Sequence, residues 1–139
     1  AAVVVMSRRR AEELGVVPKL RAVGFAVAGL EAEIMGYAPK LSSEKLAHRL
    51  SLDLRQIDMF EINEAFASQA FAVRRDLGLD PGRVNIYGGG ISIGHPIGAT
   101  GCVLAVKVLY ELARTDKRDA MISMCIGGGQ GISMYFSKC

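Results

Sequence analysis

Residues 102–114, CVLAVKVLYELAR, constrain the fold of this chain more than any other stretch. Cys102 to Val106, Val108 and Leu109 are apolar and only Lys107 interrupts them, so a helix here is hydrophobic round nearly its whole circumference. Such a helix must be buried on all sides. A sheet covers one side only, so the other needs a second layer. Of 139 residues, half hydrophobic, few remain to build it. We therefore expect a missing half or a partner chain.

The other elements follow from pattern and punctuation. AAVVVM is a β-branched run that reads as a strand, and Ser7 can cap a helix that Gly15 ends. KLRAVGFAVAGL is a second strand candidate. In EAEIMGYAPKLSS, Gly36 and Pro39 predict an irregular loop containing Met35 and Tyr37. Ser43 then caps a short amphipathic helix with Leu46 and Leu50 on one face, and QIDMFEI follows as a strand. Asn63 and Glu64 open the next helix, with Phe66, Ala70, Val73 and Leu77 as its stripe and Gly78 as its end. After LDPGR and a glycine-rich loop come the apolar helix and two strands, DAMISMCI and GISMYFS, joined as an antiparallel pair through GGGQ. The order predicted is βαβαβα, a loop, then αββ.

Composition narrows the function classes. Net charge is +3, but Arg8–Arg10 precede Glu12 and Glu13, and Lys117-Arg118 lies between Asp116 and Asp119. A nucleic-acid footprint gathers basic residues on one face, and mixed signs describe solvated surface instead. Three widely spaced cysteines without a C-x-x-C pair give neither a disulfide framework nor a structural zinc site, and no metal is expected. The uncharged run from Val84 to Val106 holds His95, Pro96 and many glycines, which makes a poor membrane span. GHPIGATG lacks the GK[ST] of a phosphate loop, and G-x-G-x-x-G spacing after a strand is missing too.

Three side chains remain as candidates for chemistry. Cys125 stands before Gly127, Gly128, Gly129 and Gly131, whose bare N–H groups can form an anion nest beside the thiol; the plain alternative is a buried, inert cysteine at a tight turn. His95, held between Gly94 and Pro96 ahead of the apolar helix, can polarise a carbonyl or activate a thiol, or serve as a structural histidine. Asn63 can cap a helix or aim its amide at a carbonyl or a water.

EINEAFASQ, NIYGGGISIGHPIGATG and SMCIGGGQGI, colinear and at these separations, resemble the C-terminal half of the thiolases. The resemblance implies an α/β, thiolase-like layered fold, a mixed sheet with helices on both faces. On it, residues 1–16 are similar to the end of the family's N-terminal half and 17–139 form the C-terminal domain. It implies thiolytic cleavage of a 3-ketoacyl-CoA to acetyl-CoA and a shortened acyl-CoA, or the reverse Claisen condensation, as in fatty acid β-oxidation and lipid metabolism. His95 would help generate the thiolate of a nucleophilic cysteine, and Cys125 would be the acid/base thiol. Asn63, through a water, would join His95 in one oxyanion hole, the Gly127 N–H would serve a second, and Met35 and Phe66 would line the acyl pocket. Acyl-CoA and CoA are the implied partners, with no permanently bound cofactor, in a homodimer or homotetramer.

Tyr87, Gly90 and GYAP depart from the family pattern without removing a catalytic group. The family's acylated cysteine has no counterpart here, its segment lying upstream of Ala1, so this chain alone is expected to be inactive. The alternatives are a non-catalytic interaction or dimerisation fragment of the same fold, and a hydrolase using Cys125 and His95 directly.

Overall fold

The computed structural model describes residues 1–139. Residues 1–7 pair with no strand, and Val4 and Val5 are 86% and 82% exposed, so the first strand expected from AAVVVM is absent. A β-branched run becomes a strand only where a neighbour takes its N–H and C=O groups. Helix α1 (Arg8–Glu13) follows as read, with Ser7 Oγ accepting from the Arg10 N–H and Gly15 in left-handed backbone.

Strand β1 (Leu20–Gly29) leads into a second departure. Instead of an irregular loop, a 3-10 turn over Ala32–Tyr37 runs directly into α2 (Ala38–Leu50). Pro39 lies in the first turn of α2, where a missing N–H breaks no helical bond, so it starts the helix rather than forbidding it. Ser43 is consequently no cap. It is buried mid-helix, and its hydroxyl and that of Ser42 both meet Ser133 Oγ, at 2.9 and 2.7 Å. Leu46 is fully buried, as its place in the stripe required.

Strand β2 (Met59–Ile62) is buried throughout. Helix α3 runs Ala67–Asp76 and begins four residues later than the opening expected at Asn63. Phe66 precedes it and is 61% exposed, so it does not belong to the buried stripe of Val73 and Leu77. A short helix α4 (Gly90–Ile93) interrupts the glycine loop before α5 (Thr100–Arg114). Strands β3 (Asp119–Gly127) and β4 (Gln130–Lys138) form the expected hairpin.

The four strands make one mixed sheet in the order β1-β4-β3-β2, with β2 parallel to β3 and the other pairs antiparallel. Strand alternation divides the core between its two faces. Phe60, Ile62, Met121 and Tyr135 pack with Leu46 of α2 and Val73 of α3 on one side. Met59, Ala120, Ile122 and Phe136 pack with Leu104, Val108 and Leu112 of α5 on the other. Each fully buried aliphatic side chain contributes about 1.5–3 kcal/mol. Within this chain α5 is covered on one side only: Cys102, Val103 and Val106 are half-buried and Tyr110 is 67% exposed.

Candidate functional site

Because β2 and β3 are parallel, both run toward the same edge of the sheet, where β3 continues to Gly127, past the Ser123 that pairs with Ile62 at the end of β2. Asn63 is the first residue beyond β2, tied to β3 by its N–H bond to Ser123 O at 2.9 Å, and its side chain is buried. It continues the Met59–Glu61 face, toward α5. His95 reaches the same place from the loop ahead of α5, where Gly94 takes φ +89°. Asn63 Nδ2 lies 3.3 Å from His95 Nε2.

The second imidazole nitrogen decides the tautomer. Thr100 Oγ1 donates its one proton to Pro96 O at 3.0 Å, so toward His95 Nδ1, 2.7 Å away, it can only accept. Nδ1 therefore carries the proton and Nε2 a lone pair, which accepts from the Asn63 amide. Asn63 Oδ1 is buried and no protein donor reaches it.

Cys125 ends the regular part of β3, directly across from Gly131 of β4. A Cβ on Gly131 would stand 2.6 Å from the Ala38 carbonyl carbon, so this face of the hairpin abuts the start of α2 and the pleat puts the thiol there too. Burial pushes the Cys125 thiol above its ordinary pKa, against the weaker opposing pull of its own backbone N–H. After it, Gly127, Gly128 and Gly129 all take positive φ, a conformation that glycine adopts without strain. Met35 is half-buried in the 3-10 turn that packs against the ends of β3 and β4.

The structure thus joins Asn63 to His95 directly and sets Cys125 at the neighbouring strand end, on the opposite side of the pleat and hydrogen-bonded to neither. Phe66, Ile93 and Ile97, near Asn63 and His95 in the chain, and Ile126, next to Cys125, are exposed. Two cavities lie elsewhere: one of about 530 Å³ beside Tyr87, Lys107 and Arg114, the other of about 170 Å³ beside Leu54, Phe60 and Arg83. No three His, Cys, Asp or Glu side chains converge to hold a metal, and no helix is long and apolar enough to cross a membrane.

Sequence reasoning missed several polar groups beside the site. Thr100, which orients His95, is legible only as a hydroxyl at the start of an apolar helix. Glu61 is fully buried, and burial raises its pKa against the opposing pull of the Lys107 ammonium that it bonds. Lys107 also donates to Gly88 O at 2.6 Å. The lysine that broke the apolar run of α5 was the available signal: a charge there needs a partner.

Comparison with known proteins agrees with the topology. The family described as "Thiolase, C-terminal domain" matches residues 16–138. Beta-ketothiolase BktB of Cupriavidus necator is 49% identical over 138 residues, 99% of this chain and 35% of that protein. The 3-ketoacyl-CoA thiolase of Bacillus subtilis is 42% identical over 139 residues, 100% of this chain and 36% of that protein. The crystal structure of Bacillus anthracis acetyl-CoA acetyltransferase superposes with a TM-score of 0.93 at 40% identity, over 96% of this chain and 34% of that one. The chain therefore spans about a third of the length of the relatives it matches.

Proposed function

We propose that this chain, which belongs to the thiolase C-terminal domain family, supplies the proton-handling and oxyanion groups of a thioester-enolate site. The reaction is thiolysis of a 3-ketoacyl-CoA, or the reverse condensation. A thiolate from a part of the protein outside this chain attacks the 3-keto carbon. The bond between C2 and C3 breaks, its electron pair becomes the enolate of acetyl-CoA, and the Cys125 thiol gives C2 a proton. The thiol of a second CoA then gives its proton to the Cys125 thiolate and takes the acyl group, and the released nucleophilic thiolate recovers its proton from His95.

Each residue has a physical reason for its role. His95 Nε2 holds a lone pair that can take the proton of the attacking thiol, and once protonated it becomes a donor for the enolate oxygen. Asn63 Oδ1, free of protein donors, can hold the water that completes that oxyanion hole. One such donor, placed where charge develops, contributes about 3 kcal/mol to the transition state. A buried thiol stays protonated near neutrality, which suits an acid, and Gly127 offers a backbone N–H in the adjoining turn for the thioester oxygen. Met35 and Phe66 line the acyl end. Acyl-CoA and CoA are the ligands, no other cofactor is needed, and the chain works within a homodimer or homotetramer.

The 3.3 Å contact between Asn63 and His95 at the end of the parallel pair carries this reading. Acetoacetyl-CoA thiolysis, followed by loss of enolate absorbance, tests it. The 139-residue chain alone is expected to show no turnover, and the chain combined with a nucleophile-bearing thiolase half to show it. Cys125→Ser in that combination should lower the rate about 10²–10⁴-fold. Turnover by the chain alone, or an unimpaired Cys125→Ser, refutes the assignment. The outer side of α5 favours a second reading, a non-catalytic fragment that only associates, which predicts binding of that half without turnover.

A further inference from the structure

His95 reaches Asn63 only if its loop is held against the end of β2, and regular secondary structure does little to hold it. From Asn85 to Ala99 the chain is rich in glycine and forms one helix of 4 residues. Glu64 supplies the anchor. Its Oε1 accepts from Asn85 Nδ2 at 2.9 Å, and its Oε2 from the Ile91 N–H at 3.1 Å. Asn85 is itself fixed in left-handed backbone, φ +48°, with Oδ1 accepting from the Ile62 N–H and Nδ2 donating to Ile62 O, both at 2.8 Å. Its amide extends the edge of β2 as another strand residue would.

The glycine turn lies directly on this carboxylate. A Cβ at Gly89 would stand 2.5 Å from Glu64 Cδ, and one at Gly90 would stand 2.8 Å from Glu64 O and 3.4 Å from Asn63 Oδ1. On the far side, Lys107 pins Gly88 O and pairs with buried Glu61. We infer that Glu64 is a positioning residue for the Asn63–His95 pair, acting through Asn85 and the Ile91 amide. Its expected place at the opening of the next helix does not fit: α3 begins at Ala67, and both Glu64 oxygens are bonded into the loop. Both partners are donors, so the position requires two acceptors, which a carboxylate has and a carboxamide lacks. The chemical worth of the pair rests on the proposed thiolase reading; its geometry does not.

The test is ¹⁵N NMR of the His95 ring in the 139-residue chain, with far-UV circular dichroism as the check on folding. The wild-type ring should show a protonated Nδ1 and an unprotonated, hydrogen-bonded Nε2. In Glu64→Gln, Nε2 should move downfield toward the position of an unbonded nitrogen while Nδ1, held by Thr100, stays. Should Glu64→Gln fail to fold, Asn85→Gly, which tolerates the same backbone and withdraws the amide from Glu64, is expected to move Nε2 in the same direction. A folded variant with an unmoved Nε2 overturns the inference.

Thiolysis kinetics in the combination with a nucleophile-bearing half separate the two readings. Glu64→Gln should lower kcat about 10-fold or more, with KM changed less than about twofold, since misplacement by about 1 Å costs up to 10² in rate. A moved Nε2 in a protein whose wild type lacks turnover keeps the positioning role and sinks the reaction. Normal kcat with Nε2 unmoved sinks the positioning role and keeps the reaction.

Discussion

A thiol can donate a proton only while it still has one, and the surroundings of Cys125 keep it there. Burial raises its pKa and outweighs the opposing pull of its own backbone N–H. Of the other thiols, Cys102 is half-buried and Cys139 exposed. Near neutrality iodoacetamide should therefore label Cys139 first and Cys125 last, with the Cys125 rate climbing as pH passes above the ordinary thiol range of about 8.5. Peptide mass spectrometry of timed samples reads this directly, and preferential labelling of Cys125 at neutral pH would contradict its proposed role as the acid. At this scale the sequence showed Cys125, His95 and Asn63, because cysteine, histidine and asparagine beside glycine are conspicuous. Glu64 was legible only as an acid ahead of a helix. Its bonds to Asn85 and Ile91 depend on the left-handed turn at Asn85, which no local periodicity announces.

Among the elements, the hairpin was the most readable and the opening strand the least, for one reason. Strands β3 and β4 find each other through a short glycine turn, whereas AAVVVM finds no partner within this chain. Pro39 was misread because proline is permissive in the first turn of a helix and disruptive later, and the start of α2 is set by Ala38 packing on Gly131. The hairpin carries a measurable lock: Tyr135 Oη on β4 donates to Asp119 Oδ2 on β3 at 2.9 Å. Burial, then the Asp119 carboxylate, pushes the Tyr135 pKa up to about 12. The folded chain thus holds that proton more tightly than the unfolded chain, whose tyrosine titrates near 10. The contribution is complete below about pH 10 and is lost as pH rises through about 12. Tyr135→Phe should cost about 1 kcal/mol at neutral pH and should lose less stability than wild type on going from about pH 9 to 11. Urea unfolding at both pH values measures this, and equal alkaline losses in the two proteins would exclude the lock.

For the molecule as a whole, the first constraint read from the sequence returns as an exposed face. Leu104, Val108 and Leu112 of α5 are buried against the sheet, while Val106 and Tyr110 border the open cavity of about 530 Å³. An apolar helix that uses only one side on its own sheet has a second side for another layer, and the relatives carry about two-thirds of their length beyond the part that this chain matches. If that layer is the nucleophile-bearing half, it must seat on this face. Tyr110 is 67% exposed and Val106 half-buried, so Tyr110→Lys should shift the chain's own unfolding free energy by no more than about 0.5 kcal/mol and Val106→Lys by about 1 kcal/mol. Each should nevertheless weaken association with the nucleophile-bearing half at least about 10-fold, because a lysine ammonium would have to be desolvated against an apolar layer. Calorimetric titration of the two parts gives the affinity, and chemical unfolding of the chain alone gives the control. Unchanged affinity in both variants would mean that the second layer docks elsewhere and that the apolar circumference of α5 has another cause.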